Sequence, residues 1–563
     1  MANEAWDRYT DVLVVGSGGG ALTSAIVAAD AGAKVMVIEK SALFGGSTAT
    51  SGGVVWIPNS NLADPAVHQD SAAEALSYIG SLTEGLVPQE QMRAFVENAP
   101  TMLDYVTKAT DVRYVSIAYT DYHAELPGGK LGYRSHMPLP LDGRALGDDL
   151  EHLRRNHPSS MLFGKISWTA EEAGPLLARS KGWWRILLRL LSRYYLDIGQ
   201  RLRSPRDRFL VGGNALIARL KMSLDKRGIT IERNARLVEL IRDGEIVTGA
   251  VVEIGGKLFK VKASKAVILG AGGFERNPDL RAQNLTRSTN PDWSGGQSNN
   301  TGDALTAALA VGAKAIRLDS AWWAPTIRVP GHESAWPLFF ERSLPGSIII
   351  NAVGRRYVNE AASYHVVGRQ MMERNLPEAP TSPSWILFDA RFRWRYPMGP
   401  LMPMIPNWMH SAAVRDIVVR TNSWDDMADR LKIDRGVLRE TVDHFNHHAQ
   451  QGKDPDFHRG DNPYDRYYGD PKVRPNPNLL PLERAPFYAL PIYPGDIGTN
   501  GGLATNGNAQ VMDTDGCAIV GLYAIGNTSA SVMGPSYPGA GATIGPAMTF
   551  GYLAARHAMG IDR

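Results

Sequence analysis

Cysteine is nearly missing from this sequence: Cys517 is the only one among 563 residues. A lone thiol cannot build a disulfide framework, hold an iron–sulfur cluster with cysteines or form a CxxC redox pair, and such scarcity suits a reducing cytoplasm. Long apolar runs are missing too. None approaches the ~20 residues needed to span a bilayer, and Met1 to Arg8 lack the basic-then-apolar layout of a secretory signal. The expectation is therefore a cytoplasmic chain. Nor is there a strong charge of either sign, since a net +3 is too small to imply a nucleic-acid partner. No internal repeat is found. What is present, 44% hydrophobic and 21% charged residues, is the make-up of a soluble globular protein. The length allows one large core with two lobes, or three ordinary domains.

The N-terminal end carries a strand–helix–strand pattern. Asp11-Val12-Leu13-Val14-Val15 reads as a buried parallel strand. It stops at Gly16-Ser17-Gly18-Gly19-Gly20-Ala21, an alanine-rich helical pattern runs to about Ala31, and a second strand, Lys34 to Ile38, ends in Glu39. Glycines let such a turn tighten and let the backbone approach a pyrophosphate, whose charge sits on the helix N-terminus. Glu39, about 20 residues beyond the glycines, is placed to accept from an adenosine ribose hydroxyl. The third fingerprint position is Ala21, which the pattern tolerates.

The residues beyond this unit favour FAD over NAD. Glu39-Lys40 leads into Phe44-Gly45-Gly46-Ser47-Thr48-Ala49-Thr50-Ser51-Gly52-Gly53, a small, hydroxyl-rich stretch offering donors to phosphates and flavin with little bulk. Ala266-Val267-Ile268-Leu269 is a strand ending at Gly270-Ala271-Gly272-Gly273, and Gly521 to Ile525 is another that stops at Gly526-Asn527. An extended cofactor touches several strand ends, whereas a nicotinamide site is usually completed within one contiguous domain. No histidine lies between Ser47 and Gly53, so the flavin is expected to be noncovalent.

At these residues the chain resembles the flavoprotein family of fumarate reductases and succinate dehydrogenases, and within it most closely the 3-ketosteroid Δ1-dehydrogenases. The most specific stretch is Gly526-Asn527-Thr528 through Gly534-Pro535-Ser536-Tyr537-Pro538-Gly539-Ala540-Gly541 to Gly545-Pro546. Further family-like blocks are Asn300-Thr301-Gly302-Asp303-Ala304, Arg356-Tyr357-Val358-Asn359-Glu360 and Phe457-His458-Arg459-Gly460. One departure is Ala540, where relatives often carry a second proline. Its absence is expected to loosen the turn while keeping both outer residues.

The resemblance implies FAD-dependent 1,2-desaturation of a 3-ketosteroid, with a proton leaving C2 and hydride passing from C1 to flavin N5. Tyr537 and the Gly541 amide match the pair that binds the C3 carbonyl oxygen and stabilises the developing enolate. Tyr364 matches the base, and Tyr122 a second tyrosine that supports it, since an ordinary phenol with a pKa of ~10 is a poor base at neutral pH. Cofactor contacts are implied at Gly16, Gly18, Gly19, Gly20 and Ala21; at Glu39 and Lys40; at Ser47, Thr48, Ala49, Ser51, Gly52 and Gly53; at Ala271, Gly272, Gly273 and Asp303; and at Gly526, Asn527, Ala542, Thr543 and Ile544. No metal site is implied. The electron acceptor, a quinone or an electron-transfer protein, is not identified by any motif. The alternatives are a sibling flavoprotein acting at another A-ring bond or on a non-steroid enone, and a flavin-bearing membrane redox or binding protein without turnover.

The expected fold is an α/β Rossmann-like FAD-binding domain made of residues 1–322 and 496–563, with a substrate-capping catalytic domain, 323–495, inserted between them. Residues 179–208 differ from their surroundings. Arg185, Arg189 and Arg193 lie four apart on a helix otherwise apolar and aromatic, from Trp183 to Leu196. Basic residues from Arg179 to Arg208 outnumber Asp197 and Asp207. The segment suits a helix lying in a membrane interface, peripheral on the inner face, where an enzyme for sparingly soluble sterol ketones could draw its substrate from the bilayer.

Overall fold

The computed structural model describes residues 6–177, 181–285 and 289–561; Arg179, the first residue of the basic segment, lies outside them. Strand β1 (Arg8–Val15), helix α1 (Gly19–Asp30) and strand β2 (Val35–Glu39) follow the sequence pattern closely. Val12, Leu13 and Val14 have no exposure on either face, as expected of a strand covered on both sides. β1 lies between β2 and the strand Lys257–Leu269, both parallel to it. The strand Ala518–Ala524 joins the latter in parallel, and Ile231–Arg233 joins β2. Antiparallel strands extend this sheet to eight.

The strand ends at Val15, Glu39, Leu269 and Ala524 therefore point the same way, and each glycine turn seen in the sequence emerges on one rim. Helix α1 lies against the C-terminal helix Ile544–Ala558. Their backbones meet because both contact positions are glycine: a Cβ on Gly20 would stand 2.5 Å from the Ala547 carbonyl oxygen, and one on Gly551 2.5 Å from that of Gly20. This brings the fingerprint turn and the 526–544 segment, more than 500 residues apart in sequence, to one site.

A second sheet is antiparallel. The long strand Phe487–Thr499 runs through it, flanked by Ala321–Ile327 on one side and by Ser384–Phe388, then Ser347–Ile350, on the other. Ala321 pairs with Thr499, so the chain enters and leaves this lobe side by side. The boundaries expected near 322 and 496 fall inside this ladder, not in a linker. Most of its apolar side chains form two cores of their own, while Ala321 to Ala324 pack into those of the first sheet.

The basic segment folds as helices Trp183–Tyr195 and Ile198–Arg203. Two of the three arginines on the first helix pair with a carboxylate of the protein itself. Arg189 and Arg193 both reach Glu172 at 3.1 Å; Arg193 also lies 3.8 Å over the Phe209 ring and is only 25% exposed. Helical spacing cannot show which face a neighbouring helix covers, and Ala170–Leu177 covers this one. Ile186, Leu187, Leu190, Leu191 and Tyr194 face a small core with Leu162 and Ile166. Trp184, Leu188, Leu196, Ile198 and Leu202 remain more than half exposed.

Candidate active site

A groove of about 470 Å³ follows the rim of the parallel sheet. At one end lie Glu39, Lys40 and Asp303. Glu39 is buried and accepts from Ser17 Oγ at 2.6 Å and from the Ser41 N–H at 2.9 Å. Burial pushes its carboxyl above the usual range, against those two hydrogen bonds. Lys40 Nζ donates to Thr301 Oγ1 at 2.6 Å and pairs with Asp303 at 2.9 Å. From there the groove passes Gly16, Gly18, Gly19, Gly20 and Ala21, then Ser47, Thr48, Ser51, Gly52 and Gly53 opposite Ala271 and Gly272, and reaches Gly526, Asn527, Thr543 and Ile544. The cradle fits FAD. A Cβ on Gly18, Gly46 or Gly52 would meet no protein atom nearer than 3.5, 3.8 and 3.8 Å, so these residues leave open groove beside the backbone, next to the N-terminus of α1. Among the described residues, no cluster of His, Cys, Asp and Glu could hold a metal ion.

Three expected contacts lie behind the wall. Ala49 is fully buried and its carbonyl accepts from Asn214. Gly273 accepts the Gly302 N–H at 3.1 Å, and Ala542 borders a separate small cavity beside Trp322. Several lining residues were not among the expected contacts: Ser17, inside the fingerprint turn, Asn300, and the aromatic side chains of Tyr119, Phe339, Phe340 and Tyr468. Asn300 sat in a family-like block. The aromatics carried no such signal.

At the other end three tyrosines converge. Tyr364 opens the helix Tyr364–Glu373, whose N-terminus is capped by Ser363. Its ring centroid is 5.6 Å from that of Tyr122 and 5.4 Å from that of Tyr537, and Tyr122 stacks on Tyr537 at 5.4 Å. All three rings are buried. Burial pushes the Tyr364 phenol well above its ordinary range and Tyr537 adds to the rise, while the hydrogen bond from Tyr122 works the other way. Tyr537 is also raised by burial, but accepts from Tyr364 and Thr543, which lower it. Gly541 completes the group: none of the backbone hydrogen bonds among the described residues uses its N–H.

The turn that carries Tyr537 and Gly541 is pinned along its length. The Pro538 carbonyl accepts from Tyr78 at 2.7 Å and from the Tyr122 N–H at 2.9 Å; His365 holds the Pro535 carbonyl at 2.8 Å, Ser135 that of Ala540 at 2.9 Å, and the Trp56 N–H that of Gly541 at 3.1 Å. The turn is thus held at both ends and in the middle, with Ala540 in it. Burial pushes His365 down to about 4, so it is neutral and donates to that carbonyl. Beneath Tyr122, fully buried Arg134 bridges Asp70 at 2.6 Å and Asp121 at 3.0 Å, and Asp121 accepts from Trp56 Nε1 at 2.8 Å. Burial pushes the Asp121 carboxyl up to about 6 in spite of those partners.

Fold and site together define an FAD-dependent dehydrogenase. Residues 11–544 match the FAD binding domain family. The 3-oxosteroid 1-dehydrogenase of Mycobacterium tuberculosis H37Rv is 37% identical over 97% of this chain and 98% of its own. A solved 3-ketosteroid Δ1-dehydrogenase from Sterolibacterium denitrificans, in complex with 1,4-androstadiene-3,17-dione, superposes with a TM-score of 0.94 at 43% identity, covering 99% of this chain and all of the other. The 4-oxocyclohexanecarboxylate 2-dehydrogenase of Sinomonas cyclohexanicum is 35% identical over 97% of this chain and 92% of its own. The chain belongs to the FAD-dependent 3-ketosteroid Δ1-dehydrogenase family, oxidoreductases acting on CH–CH groups.

Proposed function

We propose that this protein desaturates the C1–C2 bond of a 3-ketosteroid, with Tyr364, Tyr122, Tyr537 and Gly541 as its reacting groups and the groove residues named above as its FAD contacts. The observation that carries this is the meeting of those four residues at the far end of a cofactor groove. Tyr537 O–H and Gly541 N–H hold the C3 oxygen, and the charge they stabilise makes the C2 proton acidic. Tyr364 takes that proton, and the hydrogen bond from Tyr122 stabilises the phenolate it needs. Bound FAD supplies the two-electron acceptor, and its own reoxidation falls to a quinone or an electron-transfer protein. The discontinuous FAD lobe, 1–322 with 496–563, carries the groove, and the 323–495 lobe caps it. Incubation with a 4-en-3-one steroid and an artificial acceptor should yield the 1,4-diene by NMR; desaturation at any other bond contradicts the reading.

An apolar cavity of about 1070 Å³ adjoins the groove through Ser51, Gly52, Phe339 and Phe340. It has room for a steroid with a long C17 side chain, a sterol ketone included. The same cavity weighs against the second reading, a small oxo-acid substrate like that named for the Sinomonas relative. Among the described residues no lysine or arginine lines it, so a substrate carboxylate would find no cation from them there. Acid precipitation should release the flavin into the supernatant and leave a colourless pellet; a yellow pellet contradicts noncovalent binding.

Trp184, Leu188, Leu196, Ile198 and Leu202 form an exposed apolar face, flanked by Lys181, Arg185, Arg189 and Arg203. No helix among the described residues is long and apolar enough to cross a membrane; this face suits an anionic lipid surface, where each nearby basic residue contributes ~1 kcal/mol. Leu187 and Leu191, half-buried in the small core, are left alone in the test. The variant Trp184→Ser, Leu188→Gln, Leu196→Gln, Leu202→Gln should leave anionic liposomes in a flotation assay yet keep turnover of a short-chain, more soluble steroid. Unchanged flotation removes the proposal, as does dissociation of an oligomer in its place.

A further inference from the structure

Behind the wall of the FAD groove lies a sealed carboxyl that the desaturation chemistry does not use. Glu275 has no exposure. Its Oε1 accepts from Asn300 Nδ2 at 2.5 Å, and the same Nδ2 lies 2.9 Å from Ser47 Oγ. Asn300 and Ser47 both line the groove. Gly296, also in the lining, would place a Cβ 2.6 Å from Oε1, so only backbone separates the carboxyl from the groove on that side. Oε2 has no partner.

Its charged neighbours make Glu275 unusual. On the strand Phe487–Thr499, Asp496 is saturated by Arg281 at 2.6 Å and Ser294 Oγ at 2.7 Å. Arg281, on the helix Pro278–Asn284, donates to the backbone carbonyl of Glu275 at 2.9 Å, and no arginine or lysine pairs with the carboxyl itself. The end of that strand brings Thr499, and the loops around the carboxyl bring Ser294, Gln297 and Asn527, all uncharged. Arg281 is close enough to oppose the rise but makes no contact with the carboxyl; a carboxyl with no cation in contact in a dry site binds a proton readily, and charge placed nearby is weakly screened.

We propose that Glu275 is a proton store for the flavin site: it takes up a proton from solvent when the cofactor gains two electrons and gives it back when they leave. Desaturation delivers a hydride equivalent, and with it one negative charge, to the groove, while the C2 proton goes to Tyr364. The charge raises the affinity of the carboxyl for H⁺ through Ser47 and Asn300; only its O–H bond forms, and reoxidation by the electron acceptor breaks it again. Burial, with Asp496 adding to it, pushes Glu275 up to about 7 before any charge arrives, so uptake is expected around neutrality. This inference rests on the FAD reading.

Spectroelectrochemical titration of the purified holoenzyme over a pH series tests it. The wild-type flavin potential should fall more steeply with pH around neutrality than that of Glu275→Gln, which has no proton to exchange. Equal slopes overturn the inference, because a merely structural Glu275 would change stability or flavin retention but not the slope. Reduced-minus-oxidised infrared spectra give a second reading. The wild type should gain a protonated-carboxyl C=O band, shifted in D₂O, that moves in Glu275→Asp and vanishes in Glu275→Gln. Should Glu275→Gln lose its flavin, the wild type and Glu275→Asp decide, and the absence of any such band contradicts the proposal. A purified protein without flavin defeats the cofactor reading instead.

Discussion

Tyr364→Phe is expected to lower the desaturation rate by at least ~10²-fold, the scale of a lost general base, and to abolish exchange of the C2 proton with solvent deuterium. Exchange isolates the first step, because it needs carbonyl binding and the base but no electron transfer. The pH dependence comes from the burial that lifts the phenol above its ordinary range. The active form is the phenolate, so kcat/KM should climb toward alkaline pH in the wild type, and the variant should lose that climb. Tyr122→Phe removes the hydrogen bond that opposes the rise, and should move the climb to still higher pH while leaving exchange detectable. Undiminished exchange in Tyr364→Phe means that another group is the base.

Gly541→Ala is the second large effect. The residue sits at φ +96°, and a Cβ there would stand 2.6 Å from both the Trp56 nitrogen and the Val54 oxygen. Backbone on two sides leaves nothing flexible to yield, so the turn itself must shift and carry its N–H away from the substrate oxygen. Loss of one oxyanion donor costs ~10²–10³-fold, and Tyr537→Phe, which removes the other, should fall in the same range. The two differ in C2 exchange with added base: Tyr537→Phe keeps the Gly541 contact, whereas Gly541→Ala disturbs the turn that presents both. A fully active Gly541→Ala enzyme contradicts the carbonyl-binding role.

Local patterns in the sequence were sufficient where the chemistry is made by consecutive backbone. The Gly16–Ala21 turn and the acid at Glu39 are each legible within a few residues and lie on the groove, as does the 535–541 turn, which family resemblance picked out. The tyrosines are different. Tyr122, Tyr364 and Tyr537 meet only because the 535–541 turn is held by Tyr78, Tyr122, His365, Ser135 and Trp56, and no periodicity encodes that. Their grouping came from family resemblance and not from spacing. Glu275 was invisible for a related reason, since its meaning lies in what fails to pair with it. The arginines at 185, 189 and 193 show a related limit: helical spacing described their own face well but could not foresee Glu172 on a neighbouring helix.

The central claim is that a steroid ketone hands two electrons directly to a flavin held in this groove. The most direct measurement is the absorbance of the purified protein, held under strict anaerobiosis with no acceptor, as a 4-en-3-one steroid with a saturated C1–C2 bond is added. The account predicts that the flavin bands bleach in proportion to steroid, that the 1,4-diene appears in equal amount, and that Tyr364→Phe slows the bleaching at least ~10²-fold. Flavin bands that stay unchanged with steroid bound, in a protein that dithionite still reduces, would contradict it.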